Sequence, residues 1–237
     1  MNGLRALIFD VDGTLAETEE AHRQAFNAVF AAHGLSWNWS VADYTTLLGV
    51  TGGKERMRAY RDGLGLTYPD DTAIARMHAD KTDGYAALIA EGSLKPRAGV
   101  SALIRTARDA GLRLAIATTT SPANVQTLTR ALWGQSATDL FHVIAAGDEV
   151  AAKKPAPDIY LLALHRLGLS ADAAIAFEDS VNGSRAARAA GLKVLVTPSI
   201  FTAHEDHSEA SAVVRDLSGL TIGTLSTLVG FGAPLRD

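Results

Sequence analysis

No cysteine occurs among the 237 residues, which excludes disulfides, thiolate zinc sites and cysteine nucleophiles together. The absence fits a reducing cytosol. A basic excess is lacking as well: 22 Lys and Arg stand against 26 Asp and Glu, a formal net charge of -4. Without a global positive field to hold nucleic acid or an anionic membrane, neither is expected as a partner. Any anionic substrate must be caught by local cations. The first apolar run, in "MNGLRALIFD", reaches an acid after a few residues, too soon for a secretory h-region or a membrane span. A soluble, cytoplasmic protein is expected. Internal repeats and low-complexity tracts are missing too.

Hydrophobic residues at 47% and charged residues at 20% are the proportions of a folded chain with a real core. Five short apolar runs read as buried parallel strands: "ALIF" before Asp10, "LRLAIA" before Thr118, "HVIAAG" before Asp148, "AIAF" before Glu178 and "KVLV" before Thr197. Segments with helical spacing separate most of them, among them "GVSALIRTARDAGLR", "PDIYLLALHRLGL" and "SVNGSRAARAAGLK". The alternation predicts an α/β fold, a doubly wound, Rossmann-like parallel sheet. From Ala16 onward the rhythm breaks into helical patterns such as "EAHRQAFNAVFAAHG" and "DKTDGYAALIAEG" with no buried strand among them. Residues 16–93 are therefore expected to form an inserted helical cap, and 1–15 with 94–237 the catalytic core. The Gly/Pro-interrupted "LVGFGAPLRD" is expected to be a loosely packed end.

In open α/β sheets, ligands sit at the carboxyl ends of strands. Asp10 and Asp12 follow the first strand, Thr118 to Ser121 the second, Lys154 lies beyond the third, and Glu178 with Asp179 follow the fourth. Acids converging in this way repel, and an all-oxygen carboxylate set calls for a divalent cation, Mg²⁺ rather than zinc. The Lys154 ammonium and the Thr118 hydroxyl, with exposed backbone N–H groups, would complete a phosphate cradle. "DVDGT" is no calcium EF-hand loop, because Thr14 sits where that loop needs a third acid. His204 and His207 in "AHEDH" offer two ligands and no third, which reads as a surface loop rather than a metal site. These residue types support a Mg²⁺-dependent phosphoryl-transfer enzyme acting on a small phosphorylated metabolite.

"DVDGT", Thr118, Lys154 and the Glu178–Asp179 pair together resemble the four motifs of the haloacid dehalogenase-like phosphohydrolase superfamily. The insertion after the first motif, "AAKKPAPDIY" and "FEDSVNG" resemble the subgroup containing β-phosphoglucomutase and the CbbY-type sugar phosphatases. The resemblance implies Asp10 as nucleophile, Asp12 as acid and base, and Thr118 and Lys154 as catalytic partners. It implies Mg²⁺ held by Asp10, the Asp12 carbonyl and Asp179, with Glu178 near or in that shell. Substrate would be met by Glu17, His22 and Lys81, by Thr118, Thr119, Thr120, Ser121 and Asn124, and by Lys154. In "GVTGGKERM", Gly52 and Gly53 before Lys54 and Arg56 could face an anion with backbone N–H groups and two cations.

Extra cap cations suggest a second phosphate and hence a sugar bisphosphate. The CbbY-type resemblance implies hydrolysis of the 1-phosphate of xylulose-1,5-bisphosphate, an inhibitor of Rubisco, with a functional link to Rubisco but no stable complex. The rival readings are a phosphomutase, a broad sugar-monophosphate phosphatase, and a phosphonate hydrolase using Lys54 as a Schiff-base lysine. Phosphomutases of the subgroup carry an Arg soon after "GV", where this chain has Thr51, Gly52 and Gly53, which favours a phosphatase. A phospho-Asp receiver would need no such cap.

Overall fold

Successive residues of the first strand, β1 (Ala6–Phe9), point to opposite faces, and the two faces differ in size. Leu7 and Phe9 pack with Leu114, Ile116, Ile175, Phe177 and Leu195 into one bulky layer. On the other face Ala6, Ala115, Ala117, Ala174 and Ala176 leave room that larger side chains such as Ile159, Tyr160 and Leu164 fill. The remaining strands are β2 (Arg113–Thr118), β3 (Val143–Ala146), β4 (Ala174–Glu178), β5 (Lys193–Val196) and β6 (Ala212–Val213). Every pairing is parallel, in the order β3-β2-β1-β4-β5-β6. The computed structural model describes residues 3–92 and 94–231.

Both faces of the sheet are covered, as the all-parallel arrangement requires. The bulky face meets α5 (Val100–Asp109) and α6 (Pro122–Trp133), through Val100, Leu103, Ile104, Val125 and Leu128. The alanine-rich face meets α8 (Asp158–Leu167) and α9 (Val181–Ala189). A short α7 (Ala137–Leu140) precedes β3, and α10 (Ile222–Leu228) follows β6.

Between β1 and α5 lie α1 (Glu19–Ala32), α2 (Val41–Leu47), α3 (Gly53–Gly63) and α4 (Asp71–Ala90), with no strand among the described residues. These helices have a cluster of their own, built on Phe26, Phe30, Trp37, Trp39, Tyr44 and Met77. Aromatic edges meet faces throughout it, as in Phe30 on Trp39 at 4.7 Å and 75°.

Two expectations need correction. The sheet has a sixth strand, which the sequence does not announce because Ala212–Val213 is only two residues long. The C-terminal stretch from Leu228 is not uniformly loose: Val229 is buried in the main core and Phe231 packs against it. Residues 232–237 of that stretch, like residue 93 at the expected cap boundary, lie outside the described residues.

Phe9 and Phe177 are register partners on β1 and β4, stacked at 4.5 Å and 15°. Both are buried, so truncation leaves a cavity under the two strands that end in the acids. Phe177→Ala is expected to cost about 3–5 kcal/mol, read as a lower urea midpoint with an unchanged m-value.

Candidate active site

β1 ends at Asp10, whose N–H still donates to the Phe177 carbonyl at 3.0 Å. The chain then folds back: Leu15 N–H donates to the Val11 carbonyl at 2.8 Å and Gly13 N–H to the Ala16 carbonyl at 2.9 Å. Gly13 has φ 73, and a Cβ there would stand 2.1 Å from Asp179 Oδ2. Only glycine lets this turn lie against the acid that follows β4. Arg97 fixes the turn from the other side, donating to the Gly13 carbonyl and to those of Thr197 and Pro198.

Lys154 reaches the same strand ends from the segment after β3. Its ammonium lies 2.6 Å from Asp10 Oδ1 and 2.6 Å from Glu178 Oε1, all buried. Tyr160, on α8, donates its hydroxyl to that Glu178 oxygen at 2.5 Å. The other oxygen, Oε2, is buried with no partner. Gly183 in the first turn of α9 makes room for this carboxylate, since a Cβ there would sit 2.0 Å from Oε2.

Ligand oxygens of Asp10, Glu178 and Asp179 lie within 4.8 Å of one another. Two of these three carboxylates, Asp10 and Glu178, share the Lys154 ammonium, and Asp179 stands beside them without it. Burial pushes the Asp10 carboxyl up to about 8, with Glu178 and Asp12 adding to the rise and Lys154 opposing it. Burial, then Asp10 and Glu178, also raise Asp179 well above the ordinary range. Lys154 remains charged, its pKa raised by Asp10 and Glu178 against the pull of burial. The imbalance, the orphaned Glu178 oxygen and the all-oxygen donor set fit a hard divalent cation.

Asp12 has the opposite surroundings. Thr18, the residue before α1, donates to Oδ1 at 2.6 Å, and His22 Nε2 stands 3.0 Å from the same oxygen. His22 Nδ1 in turn faces Lys81 Nζ at 2.5 Å, and its ring stacks on Tyr85 at 4.0 Å. With Nε2–H donating to Asp12 and Nδ1 accepting from Lys81, each nitrogen is used once. Burial works against ionisation of Asp12, but His22, Thr18 and Lys81 outweigh it and hold the carboxyl at about 2. Lys81 is itself brought down to about 7, chiefly by burial.

Both carboxylates open into one cleft. The cleft also takes in His22, Gly52, Gly53, Arg56, Lys81, Thr118, Thr119, Thr120, Ser121, Asn124, Lys154, Glu178 and Asp179. Ser121 caps α6 with Pro122 at its first position, and Asn124 donates to Thr120 Oγ1 at 3.0 Å. Two of the residues expected at the substrate do not line the cleft. Glu17 turns to Arg97 at 3.1 Å and to the Ile200 N–H, and Lys54 is drawn to Asp148 at 2.5 Å. Arg56 does line it, but its guanidinium already donates to the Leu47 carbonyl and to the Tyr44 hydroxyl.

Tyr44, Glu19, His78, Asn182, Thr202 and Glu205 line the cleft without having been singled out in the sequence. Tyr44 and His78 carry no signal there, being single residues at helical spacing. Glu19 could have been suspected from its place two residues after Glu17. His207 also differs from the expected surface loop: it is buried, and Nε2 lies 3.0 Å from the Thr202 carbonyl, while His204 is exposed.

Residues 4–191 match the model of the haloacid dehalogenase-like hydrolase family. Protein CbbY of Rhodobacter capsulatus is 58% identical over 215 residues, 91% of this chain and 94% of that protein. A phosphorylated carbohydrates phosphatase of Thermotoga maritima is 29% identical over 80% of this chain and 83% of its own. A solved CbbY mutant from Rhodobacter sphaeroides, in complex with xylulose-(1,5)bisphosphate, superposes with a TM-score of 0.87 at 48% identity, covering 92% of this chain and 96% of that one. A family model spanning residues 4–191 and a curated relative at 58% identity agree with the acids, hydroxyls and lysine gathered at the carboxyl edge of the sheet: the chain belongs to the haloacid dehalogenase-like hydrolase family and is a phosphatase.

Proposed function

We propose that the chain is a Mg²⁺-dependent sugar-bisphosphate phosphatase that removes the 1-phosphate of xylulose-1,5-bisphosphate and so clears an inhibitor of Rubisco. Any link to Rubisco is functional, with no stable complex. The observation that carries the phosphatase chemistry is Asp10, hydrogen-bonded to Lys154, opening beside Asp12 into one cleft. The identity of the sugar is supported by the bisphosphate held by a relative 48% identical. Helices α1–α4 act as the cap that covers the substrate. No described helix is long and apolar enough to cross a membrane, and a cytoplasmic location is part of the reading.

Asp10 attacks phosphorus in line, giving an aspartyl-phosphate as the bond to the sugar oxygen breaks. Asp12 passes a proton to that oxygen, and later takes one from the water that hydrolyses the intermediate. Held ionised at about 2 in the free protein, Asp12 is suited to the second task. For the first, the Lys81–His22–Asp12 chain offers a continuous path of donors along which a proton can reach Oδ1. Lys154 and the Thr118 hydroxyl meet the phosphoryl oxygens. Mg²⁺ held by Asp10, the Asp12 carbonyl and Asp179, with Glu178 at hand, would supply the positive charge that lets a carboxylate approach a phosphate dianion.

One observation favours a second reading. Lys54 is engaged by Asp148 and Arg56 by Tyr44, so both cap cations expected to grip a distal phosphate already have partners. A phosphatase of broader range on sugar monophosphates follows if neither is released by substrate. Phosphate release measured across ketopentose mono- and bisphosphates decides between them. A kcat/KM at least ~10-fold higher for xylulose-1,5-bisphosphate, about 1.4 kcal/mol, is expected; equal values give the broader reading.

Asp10→Asn preserves shape and removes the nucleophile. Turnover below ~1% of wild type is expected with substrate still bound, as seen by calorimetry beside a phosphate-release assay. Metal dependence should carry a pH signature. Because the folded Asp10 carboxyl is raised from the ordinary range to about 8, its contribution is present at low pH and lost as pH rises through that value. Mg²⁺ displaces the proton, so it binds better as pH rises. Thermal melts with EDTA and with Mg²⁺ should show a metal-induced gain in Tm that grows from about pH 5 to about pH 8. A gain independent of pH would count against Asp10 as a ligand.

A further inference from the structure

The loop between β5 and β6 runs past the site and was not singled out for any role in it. Thr202 Oγ1 donates to the Asp179 carbonyl at 2.7 Å and lies 3.2 Å from its carboxylate Oδ2. Ser199 N–H donates to that hydroxyl at 2.9 Å, and His207 holds the Thr202 carbonyl. The adjacent residue faces elsewhere. Phe201 is buried in the aromatic cluster of the cap, and every other buried member of that cluster comes from residues 26–77. Its ring meets Tyr44 edge to face at 6.0 Å and 89°. Tyr44 donates to Glu19 at 2.8 Å and accepts from Arg56 at 2.9 Å, and all three line the cleft.

Two consecutive residues are thus anchored in different parts of the molecule, one on an acid of the metal cluster and one in the core of the cap. Their Cα atoms are ~3.8 Å apart, so neither can shift by much without the other. The loop has little slack to absorb a shift. Arg97 grips the carbonyls of Thr197 and Pro198 at 2.7 Å each, and Glu17 accepts from Ile200 N–H at 3.3 Å while paired to Arg97. This also gives Glu17 work away from the substrate.

We infer that Phe201 is a positioning residue that couples seating of the cap to the pose of Asp179, so that cation affinity depends on the cap being docked. The inference rests on the reading of Asp179 as a metal ligand. By linkage the effect is reciprocal: cation binding favours the docked cap. An edge-to-face contact in a buried cluster is strong enough to matter on this scale.

The test is calorimetric titration of the substrate-free protein with Mg²⁺, together with the emission of Trp37 and Trp39 in the cap cluster. Phe201→Ala is expected to weaken Mg²⁺ binding by ~3- to 10-fold, within the usual range of coupling between sites. It should also remove the Mg²⁺-induced change in emission. Phe201→Tyr, which keeps the ring, restores both. Thr202→Val, similar in shape but without the hydroxyl, gives the same weakening from the other side of the peptide, and serves where Phe201→Ala does not fold. Unchanged affinity in Phe201→Ala or Thr202→Val, with Asp179→Ala greatly weakened, overturns the coupling and leaves the metal reading standing. If Asp179→Ala binds Mg²⁺ as wild type does, the metal reading fails and the inference with it.

Discussion

One buried ammonium, that of Lys154, makes the rest of the site possible. It serves Asp10 and Glu178 at 2.6 Å each, and it reaches Asp10 from 144 residues away in the chain. A buried ion pair adds little net stability when complete, yet stripping it of one partner costs about 3–5 kcal/mol, because the survivor is left charged without compensation. The fold is arranged to keep this partner in place. β1 lies between β2 and β4, so Asp10 and Glu178 end neighbouring strands, and α8 brings Tyr160 against the same Glu178 oxygen. Even so, the cluster carries more negative charge than one lysine can offset, which is the condition for a divalent cation.

Much of the core was legible in the sequence because its signals are local. An apolar run cut off by an acid marks both a buried strand and the end at which chemistry sits, and this holds for Asp10 and Glu178. β6 was not legible, since two residues make no run. Gly13 and Gly183 could be noticed as motif letters, but their reason is three-dimensional: Gly13 clears space for Asp179, just past the end of β4, and Gly183 for Glu178, the last residue of that strand. In the helical segment α1–α4, spacing identified cations without saying which way they turn. Lys54 goes to Asp148, 94 residues on, and Glu17 to Arg97, pairings that no local pattern encodes. Phe201 gave no sign at all, because a lone aromatic in a polar loop has the same appearance whether it packs at home or in a distant helical cluster.

The two aspartates of the opening motif show how far surroundings outweigh sequence distance. Asp10 and Asp12 are chemically identical and separated by one residue. Asp10 sits among buried acids sharing a single ammonium and is pushed up to about 8, whereas Asp12 sits among donors and is held at about 2. Environments that drive two like groups apart are the usual mark of divided labour in an active site.

The division has a structural address. The partners of Asp10 come from the sheet-bearing part of the chain: Lys154 from the segment before α8, Glu178 from β4. Those of Asp12 come from the helical segment: Thr18 at the start of α1, His22 on α1 and Lys81 on α4. On the proposed mechanism, the nucleophile draws its partners from the sheet-bearing part, while the proton-handling group draws its own from the helical segment. Lifting α1–α4 away would remove the donors from Asp12 and leave Asp10 with Lys154. With the proposed roles of Asp10 and Asp12, a phosphate bound to such an open molecule would meet a nucleophile without a tuned acid or base, and docked α1–α4 would supply the missing proton chemistry. On the proposed mechanism, docking of α1–α4 would complete the proton-handling set at Asp12 in the same movement that covers the cleft.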